Sequence, residues 1–233
     1  MPGDPKKLIV ALDLPGPDQG EELALKLAPL GVSYKVGLEL FMAGGPALVA
    51  KLAFRYNLFL DLKFHDIPNT VAAAVKSAAA LGVWMLNIHA AGGRDMMLAA
   101  REAIEVSDKR PLLCAVTILT SMNDDLIAET TNSRSVAELV TIRSKLAAEC
   151  GLDGVICSSL EIAAVKKSVS SHFLTVTPGI RPFGEAKDDQ ARVAAPAEVI
   201  RAGGDYLVVG RPITRAGDPF DAARKILAEM GVL

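Results

Sequence analysis

Short apolar runs alternate along the chain with longer segments in which apolar residues recur at helical spacing. Runs such as LIVAL (8–12) and YLVVG (206–210) carry no polar face, which is typical of parallel strands covered on both sides. This pattern predicts strands at 8–14, 33–40, 58–64, 85–90, 112–119, 154–158, 173–178 and 205–210.

The segments between these runs are predicted to be helices. They cover 18–28, 46–55, 69–81, 94–106, 135–150, 159–167, 196–202 and 220–230. Strands and helices that alternate without a linker or a break in composition predict an α/β fold, the (β/α)8 TIM barrel, as a single domain over 1–233. An open doubly wound sheet is the alternative. It is less favoured because no GxGxxG motif follows the first predicted strand.

Composition and charge narrow the possible partners. Hydrophobic residues make up 51% of the 233 residues, enough apolar surface to offset the entropy of ordering the chain. The formal net charge of −2 gives no electrostatic footprint for nucleic acid or an anionic membrane, and we expect neither as a partner.

The cysteines, histidines and apolar stretches indicate a cytoplasmic protein. Cys114, Cys150 and Cys157 have no CxxC spacing, so reduced thiols are expected. The three histidines lack the spacing of metal ligands, and no metal site is predicted. Asp13 interrupts the first apolar run, and the longest stretch of apolar residues and glycine, 78–86, is about half a membrane span. We therefore expect neither a secretory signal nor a membrane segment.

The segment DLKFHDIPNT (61–70) carries charges at the end of the third predicted strand. Because side chains alternate faces along a strand, Asp61 and Lys63 are predicted to point into the barrel, and Leu62 and Phe64 toward the helices. The two charges then lie near the carboxyl ends of the strands, where barrel enzymes place their active sites.

Three further charges lie in or beside the first three predicted strands. Asp13 is in the first strand, Lys35 in the second, and Asp66 in the loop after the third. A charge facing a barrel interior is costly unless it is paired, so we predict that Asp13 and Lys35 form an alternating array with Asp61 and Lys63. The alternative interpretation is a set of structural salt bridges that hold the barrel mouth together.

A glycine followed closely by an arginine lies at the carboxyl end of two predicted strands, here called the Gly-Arg exits. These two exits predict a phosphate site. The last predicted strand ends at Gly210-Arg211, and the seventh is followed by Pro178-Gly179-Ile180-Arg181. In these barrels the loops after strands seven and eight often hold phosphate on backbone N–H groups. Arginine adds a forked cationic donor. Each exit alone could be a surface turn, but the two occur at the expected strand positions.

Asn87 and His89 are weaker candidates on the fourth predicted strand. Both are predicted to face inward, with His89 more often a hydrogen-bonded interior residue than a base. His65 is predicted to pack rather than react.

Two loops add polar candidates. Thr120 and Ser121 follow the fifth predicted strand and could donate to a polar ligand. Gln190 lies in the polar loop 184–190, which has a suitable length for a lid, with an ordinary surface loop as the alternative.

With these motifs in place, the chain resembles the orotidine 5′-monophosphate decarboxylase family. The resemblance extends from residue 8 to the final helix, and its most specific block has eleven residues. The blocks are DLKFHDIPNTV (61–71), LNIHAAGG (86–93), LTSM (119–122), VTPGIRP (176–182) and GGDYLVVGRPIT (203–214). Ala195 departs from the threonine that such sequences tend to carry, at a position with no proposed catalytic role.

The resemblance implies a reaction and roles for individual residues. The reaction is the decarboxylation of orotidine 5′-monophosphate (OMP) to uridine 5′-monophosphate (UMP), the last step of de novo UMP synthesis, without a metal or an organic cofactor. Lys63 would protonate C6 of the pyrimidine, Asp61 would lie beside the substrate carboxylate, and Lys35 and Asp66 would complete the charged network. The expected substrate-binding residues are Asp13, Lys35, Asp61, Ile67, Thr70, Thr120, Ser121, Pro178, Arg181, Gln190, Gly210 and Arg211.

The resemblance also implies a homodimer with shared sites. In the family, the residue matching Asp66 enters the site of the partner subunit, with Ile67 and Thr70 nearby. Activity would then require two chains.

Two other functions stay open at this point. A sister enzyme on the same barrel uses an Asp-x-Lys-x-x-Asp core with Mg²⁺ to act on a sugar phosphate, and residues 61–66 fit that core too. The blocks after this core favour the nucleotide enzyme. A non-catalytic phosphate-binding barrel is less favoured, because such a protein would be expected to lack some of the charges.

Overall fold

The computed structural model describes residues 3–105, 110–131, 135–182 and 194–233. Within these ranges, eight parallel strands pair in sequence order and close into a barrel, because β1 also pairs with β8. The predicted (β/α)8 fold is confirmed. The strands are β1 Leu8–Ala11, β2 Ser33–Gly37, β3 Leu58–Phe64, β4 Met85–His89, β5 Leu112–Val116, β6 Gly154–Ile156, β7 Leu174–Thr177 and β8 Tyr206–Val209.

Helices cover the outside of the barrel. In the described residues they are α1 Pro17–Leu27, α2 Leu38–Arg55, α3 Pro68–Ala79, α4 Gly93–Glu105, α5 Asp124–Thr131, α6 Val136–Glu149, α7 Ile162–Ser168, α8 Pro196–Arg201, α9 Arg211–Thr214 and α10 Pro219–Glu229. Short 3₁₀ turns lie at Pro5–Lys7, Ala28–Leu30, Ala90–Gly92 and Ser159–Glu161. None of the helices in this part of the chain is long and apolar enough to cross a membrane.

Alternating strand positions build two separate hydrophobic clusters. The smaller cluster fills the barrel and includes Ile9, Phe59 and Met85, all at most 2% exposed. The larger cluster lies between the strands and the helices. Leu62 and Phe64 pack against this outer cluster, as predicted, so the neighbouring Asp61 is directed toward the barrel interior.

Every predicted strand except β3 is too long at its carboxyl end, and the excess is three residues in β1, β2 and β5. β1 ends at Ala11, and residues 38–40 belong to α2 rather than to β2. The predicted helix 46–55 is therefore only the second half of α2. Gly45, with φ of 62°, kinks the helix just before residue 46, where the predicted helix begins, in a conformation that favours glycine. Apolar runs predict strands well here, but they do not show where a strand passes into the next helix.

Two helices were not predicted, and both lie at the barrel mouth. α5 begins after Asn123, whose side chain accepts a hydrogen bond from the N–H of Leu126 at 2.9 Å. Asp124 and Asp125 lie in its first turn, so a cap and an acidic first turn were available as signals. α9 has only four residues, too few to show a helical period.

Candidate active site

A cavity of about 420 Å³ opens at the carboxyl ends of the strands. It contains the four predicted charges Asp13, Lys35, Asp61 and Lys63. The other lining residues come from the barrel interior and from the loops after β5, β7 and β8. They are Ala11, Phe59, Leu119, Thr120, Ser121, Ile156, Pro178, Gly179, Arg181, Val208, Gly210 and Arg211.

The four charges form a chain of alternating sign. Lys35 Nζ lies 3.0 Å from Asp13 Oδ1 and 3.2 Å from Asp61 Oδ2. Lys63 Nζ lies 2.6 Å from Asp61 Oδ1. Each ammonium is thus held by a carboxylate, and the carboxylate of Asp61 bridges the two lysines.

Burial and pairing act in opposite directions on the central pair. Lys35 is 7% exposed and Asp61 is 8% exposed. Burial alone would raise the pKa of the Asp61 carboxyl, but Lys35, Lys63 and Asn87 outweigh it and lower that pKa. Burial likewise opposes the charge on Lys35, but Asp61 and Asp13 outweigh it and raise the pKa of Lys35. Both groups therefore stay charged throughout the neutral pH range.

Lys63 has an unusual backbone conformation. Its φ of 52° lies in the left-handed region, and it is the one non-glycine residue with positive φ among those described. For a residue with a Cβ this conformation costs roughly 1–2 kcal/mol. The simple alternation of strand faces correctly predicts that Lys63 meets Asp61, but it does not predict this irregularity.

Asn87 and Gly37 belong to the network, although the sequence did not assign them a role in it. Asn87, noted only as an inward polar residue, hydrogen-bonds both Asp61 and the backbone N–H of Lys63. Gly37 ends β2, and a Cβ there would lie 2.9 Å from Lys35 Nζ and 3.1 Å from Asp13 Oδ1. A side chain at this position would displace the Lys35 ammonium from its place in the ion pair. In the sequence, the position of Gly37 two residues after the inward-facing Lys35 was the signal that could have indicated this role.

Two arginines also line the cavity. Arg181 is 8% exposed, and its Nη1 donates to the carbonyl of Ile180 at 2.9 Å. Gly179 has φ of 77°, which favours glycine at this strand exit. Arg211 follows Gly210 after β8 and lines the same cavity. The structure thus brings the two Gly-Arg exits together, as the sequence predicted.

Three predicted site residues in the described part of the chain do not line this cavity. Asp66, Ile67 and Thr70 are exposed in the loop after β3 and at the start of α3. The Asp66 carboxylate accepts a hydrogen bond from the N–H of Ile67 at 2.6 Å. Within one chain these three residues are therefore apart from the charged network, and their place in a partner's site stays a prediction. Gln190 and the 184–190 loop lie outside the described residues.

Two histidines lie beside Lys63. The rings of His65 and His89 are 5.3 Å apart, so His65 packs against His89, although His65 is itself exposed. Burial, aided by the nearby His65, Lys63 and Arg143, lowers the pKa of His89 to about 4. His89 is therefore neutral near pH 7 and too weak a base to be the main proton acceptor.

This lowered pKa predicts a dependence of stability on pH. As pH falls below about 6.5, the unfolded chain binds a proton at residue 89 that the folded chain binds only near the pKa of about 4. Between about pH 7 and pH 5 the free energy of unfolding should fall by on the order of 1 kcal/mol through this residue. Urea unfolding of His89→Gln should show a smaller fall than the wild type. The exposed His172→Gln controls for replacing a histidine, and an unchanged fall in His89→Gln would contradict the assignment.

The described residues contain no group of three His, Cys, Asp or Glu side chains placed to hold a metal ion. Both carboxylate oxygens of Asp61 already contact a lysine ammonium. A cation bound to Asp61 would have to displace one of these lysines.

Comparison with known proteins identifies the family. The family model described as "Orotidine 5'-phosphate decarboxylase / HUMPS family" matches residues 6–226. The chain belongs to this family. It is 50% identical over 231 residues to the orotidine 5'-phosphate decarboxylase of Hahella chejuensis, covering 99% of each chain. It is 49% identical over 228 residues to that of Saccharophagus degradans, covering 97% of this chain and 95% of the relative.

Solved structures of the same fold agree with the family assignment. The crystal structure of orotidine 5'-phosphate decarboxylase from Lactobacillus acidophilus superposes with a TM-score of 0.85 at 41% identity, covering 96% of this chain and 98% of that one. An uncharacterized conserved protein from Geobacillus kaustophilus gives a TM-score of 0.83 at 39% identity, covering 96% and 99%.

Proposed function

We propose that this protein decarboxylates OMP to UMP and carbon dioxide, the last step of de novo UMP synthesis. The observation that carries the proposal is the chain of charges from Asp13 through Lys35 and Asp61 to Lys63 on one wall of a cavity that also holds two arginines. Family membership and relatives named orotidine 5'-phosphate decarboxylase, about half identical over nearly the whole chain, support the same reaction.

Lys63 is the proposed proton donor. The bond between C6 of the pyrimidine and the carboxylate carbon breaks, carbon dioxide leaves, and the electron pair stays on C6. This carbon has no adjacent electron sink, so a fixed ammonium beside it stabilises the developing charge. An Nζ–H bond of Lys63 then breaks, its proton goes to C6, and solvent reprotonates the amine. Lysine suits the role because, unlike arginine, it can give up its proton.

Asp61 has two proposed roles. It holds Lys63 at 2.6 Å and Lys35 at 3.2 Å, so that the charges are in place before the substrate arrives. In the complex it would also lie close to the substrate carboxylate. The repulsion between the two carboxylates is relieved as neutral carbon dioxide departs.

The part of the cavity that Arg181 and Arg211 line is the proposed phosphate site. Arg181 and Arg211 would bind the 5′-phosphate, while Asp13 and Lys35 reach the ribose hydroxyls and Thr120 or Ser121 contacts the pyrimidine. The phosphate is far from the reacting bond, so its binding energy can organise the charged site rather than take part in the chemistry.

Replacing Arg211 should weaken nucleotide binding. Arg211→Ala is expected to raise the dissociation constant of UMP about 10–100-fold, because a charge-assisted hydrogen bond to phosphate contributes about 1.5–3 kcal/mol. Isothermal titration with UMP and with uridine measures this change, and the loss should be confined to UMP. Arg215→Ala is the matched control, since Arg215 is exposed on the other end of α9 and does not line the cavity. Equal UMP affinity in Arg211→Ala and wild type would exclude Arg211 from the phosphate site.

The proposed active unit is a homodimer with shared sites. Asp66, Ile67 and Thr70 are exposed, which leaves them able to enter the cavity of a second chain. Ile67 is 66% exposed, and the apolar side chains of Leu38 and Met42 are 58% and 79% exposed at the adjacent strand exit. Apolar side chains exposed together near the mouth favour contact with a second copy.

A substrate panel with and without chelator tests the proposed function. OMP and a ketose or aldose phosphate are each offered in EDTA and then in excess Mg²⁺. Conversion of OMP alone, at the same rate in both buffers, is expected. Turnover confined to the sugar phosphate and dependent on Mg²⁺ would assign the chain to the other branch of the family. Cytoplasmic location, independence from cofactors, and lack of nucleic-acid or membrane partners stay predictions of the sequence.

A further inference from the structure

Asn87 contacts both ends of the Asp61–Lys63 pair, and the proposed chemistry gives it no role. It lies on β4 inside the barrel and is 1% exposed. Its Nδ2 donates to Asp61 Oδ1 at 2.6 Å, and its Oδ1 accepts from the backbone N–H of Lys63 at 2.8 Å. One buried amide therefore satisfies two groups that lie two residues apart on the neighbouring strand.

The pairing of β3 with β4 shows why this amide is needed. Leu60 pairs with Leu86 and Phe64 pairs with Ile88, so three residues of β3 lie opposite Asn87 alone. The regular ladder is interrupted at this bulge, and Lys63 adopts its φ of 52° within it. A buried N–H in such an irregular segment needs an acceptor from outside the ladder. The Asn87 carbonyl oxygen is that acceptor.

The same amide fixes the orientation of the Asp61 carboxylate. Asp61 Oδ1 accepts from both Asn87 and Lys63, while Oδ2 faces Lys35 at 3.2 Å. A neutral amide can accept from Lys63 and donate to Asp61 at once. Leucine, which has nearly the same volume, can do neither, and an ionised aspartate would repel Asp61.

We propose that Asn87 is a positioning residue: it holds the left-handed bulge at Lys63 and thereby aims the lysine ammonium and the Asp61 carboxylate at the reacting carbon. The consequence for catalysis rests on the proposed function of Lys63. A misplacement of about 1 Å can cost on the order of 100-fold in rate, so the effect belongs in kcat rather than in nucleotide binding.

Asn87→Leu and Asn87→Asp test this role, with Met85→Leu as the matched control. Met85 lies two positions earlier on the same strand, is fully buried in the barrel, and does not line the cavity. Asn87→Leu should lower kcat about 100-fold while the dissociation constant of UMP changes less than about 3-fold. Met85→Leu should keep the wild-type kcat. A wild-type kcat in a folded Asn87→Leu overturns the proposal, as does an equal loss in Met85→Leu.

Asn87→Asp gives a signature that general loss of packing would not produce. The new carboxyl beside Asp61 should have a raised pKa, because two carboxylates so close cannot both ionise readily. Once protonated, it can donate to Asp61 and accept from Lys63 as the amide does. The ratio of its kcat to that of the wild type should therefore rise at least about 10-fold as pH falls from 8 toward 5. A kcat ratio that is independent of pH overturns the proposal. This test can be made even if Asn87→Leu does not fold.

A readout without substrate separates this proposal from the proposed function. Hydrogen exchange of the Lys63 amide, followed by NMR, should be at least about 10-fold faster in Asn87→Leu, which has no acceptor for this N–H, than in the wild type. An unchanged exchange rate would refute the claim that Asn87 holds the backbone of Lys63, whichever reaction the protein catalyses. Faster exchange in Asn87→Leu, together with a wild-type protein that does not decarboxylate OMP, would refute the proposed function and leave the structural part of this inference standing.

Discussion

Replacing Lys63 by alanine should reduce kcat for OMP decarboxylation by at least about 10⁴-fold, because both the proton donor and the charge beside C6 are lost. The fold should survive. Asp61 keeps its contacts with Lys35 at 3.2 Å and with Asn87 at 2.6 Å, so no buried carboxylate is left without a partner. The decrease in ultraviolet absorbance as OMP is consumed measures the rate, and circular dichroism checks the fold.

Two further variants make this result specific to Lys63. Lys51→Ala removes another lysine that pairs with a carboxylate, Glu21, but it lies on α2 outside the cavity and should leave kcat unchanged. Lys63→Arg keeps a positive charge but cannot readily release a proton, so it should restore little activity. If folded Lys63→Ala kept more than about a tenth of the wild-type kcat, another group would have to be the proton donor.

Mixing inactive chains should restore activity if the sites are shared across a dimer. In a dimer of one Lys63→Ala chain and one Asp66→Ala chain, one site carries both defects and the other carries none. Random reassortment makes about half of the dimers mixed, so the mixture should regain about a quarter of the wild-type activity per chain. Two differently tagged variants allow subunit exchange to be demonstrated in the same sample.

The matched control for this experiment combines Lys63→Ala with Asp61→Ala. Both residues line the cavity of their own chain and lie 2.6 Å apart, so no combination of these chains assembles an intact site. This mixture should stay inactive. Equal behaviour of the two mixtures, after subunit exchange has been shown, would contradict the shared site.

The sequence predicts the barrel well because the relevant signals are local and repeat regularly. Apolar runs and helical spacing place β3 correctly at both ends. The errors lie where strands end, as at Leu38, because an apolar residue suits the end of a strand and the start of a helix equally. The short helix α9 is set by contacts around the strand exit rather than by its own pattern.

The sequence predicts the charged residues of the candidate site, but it does not predict the residue that positions them. Asp61, Lys63 and Lys35 are conspicuous because charges interrupt apolar strands. Asn87 is less conspicuous, because a polar residue within a strand gives no sign in the sequence that the neighbouring strand bulges opposite it. The positive φ of Lys63 arises from that pairing between strands, and the proposed place of Asp66 in a partner's site depends on a second chain.

Single-turnover reaction of the wild-type protein with OMP in D₂O containing EDTA tests whether the protein decarboxylates OMP without a metal ion and protonates C6. We expect equal amounts of UMP and carbon dioxide, a deuteron at C6 of UMP delivered from the exchanged Lys63 ammonium, and a rate unchanged when Mg²⁺ replaces EDTA. OMP that remains intact in the presence of well-folded protein, or turnover that appears only with Mg²⁺, would contradict this expectation.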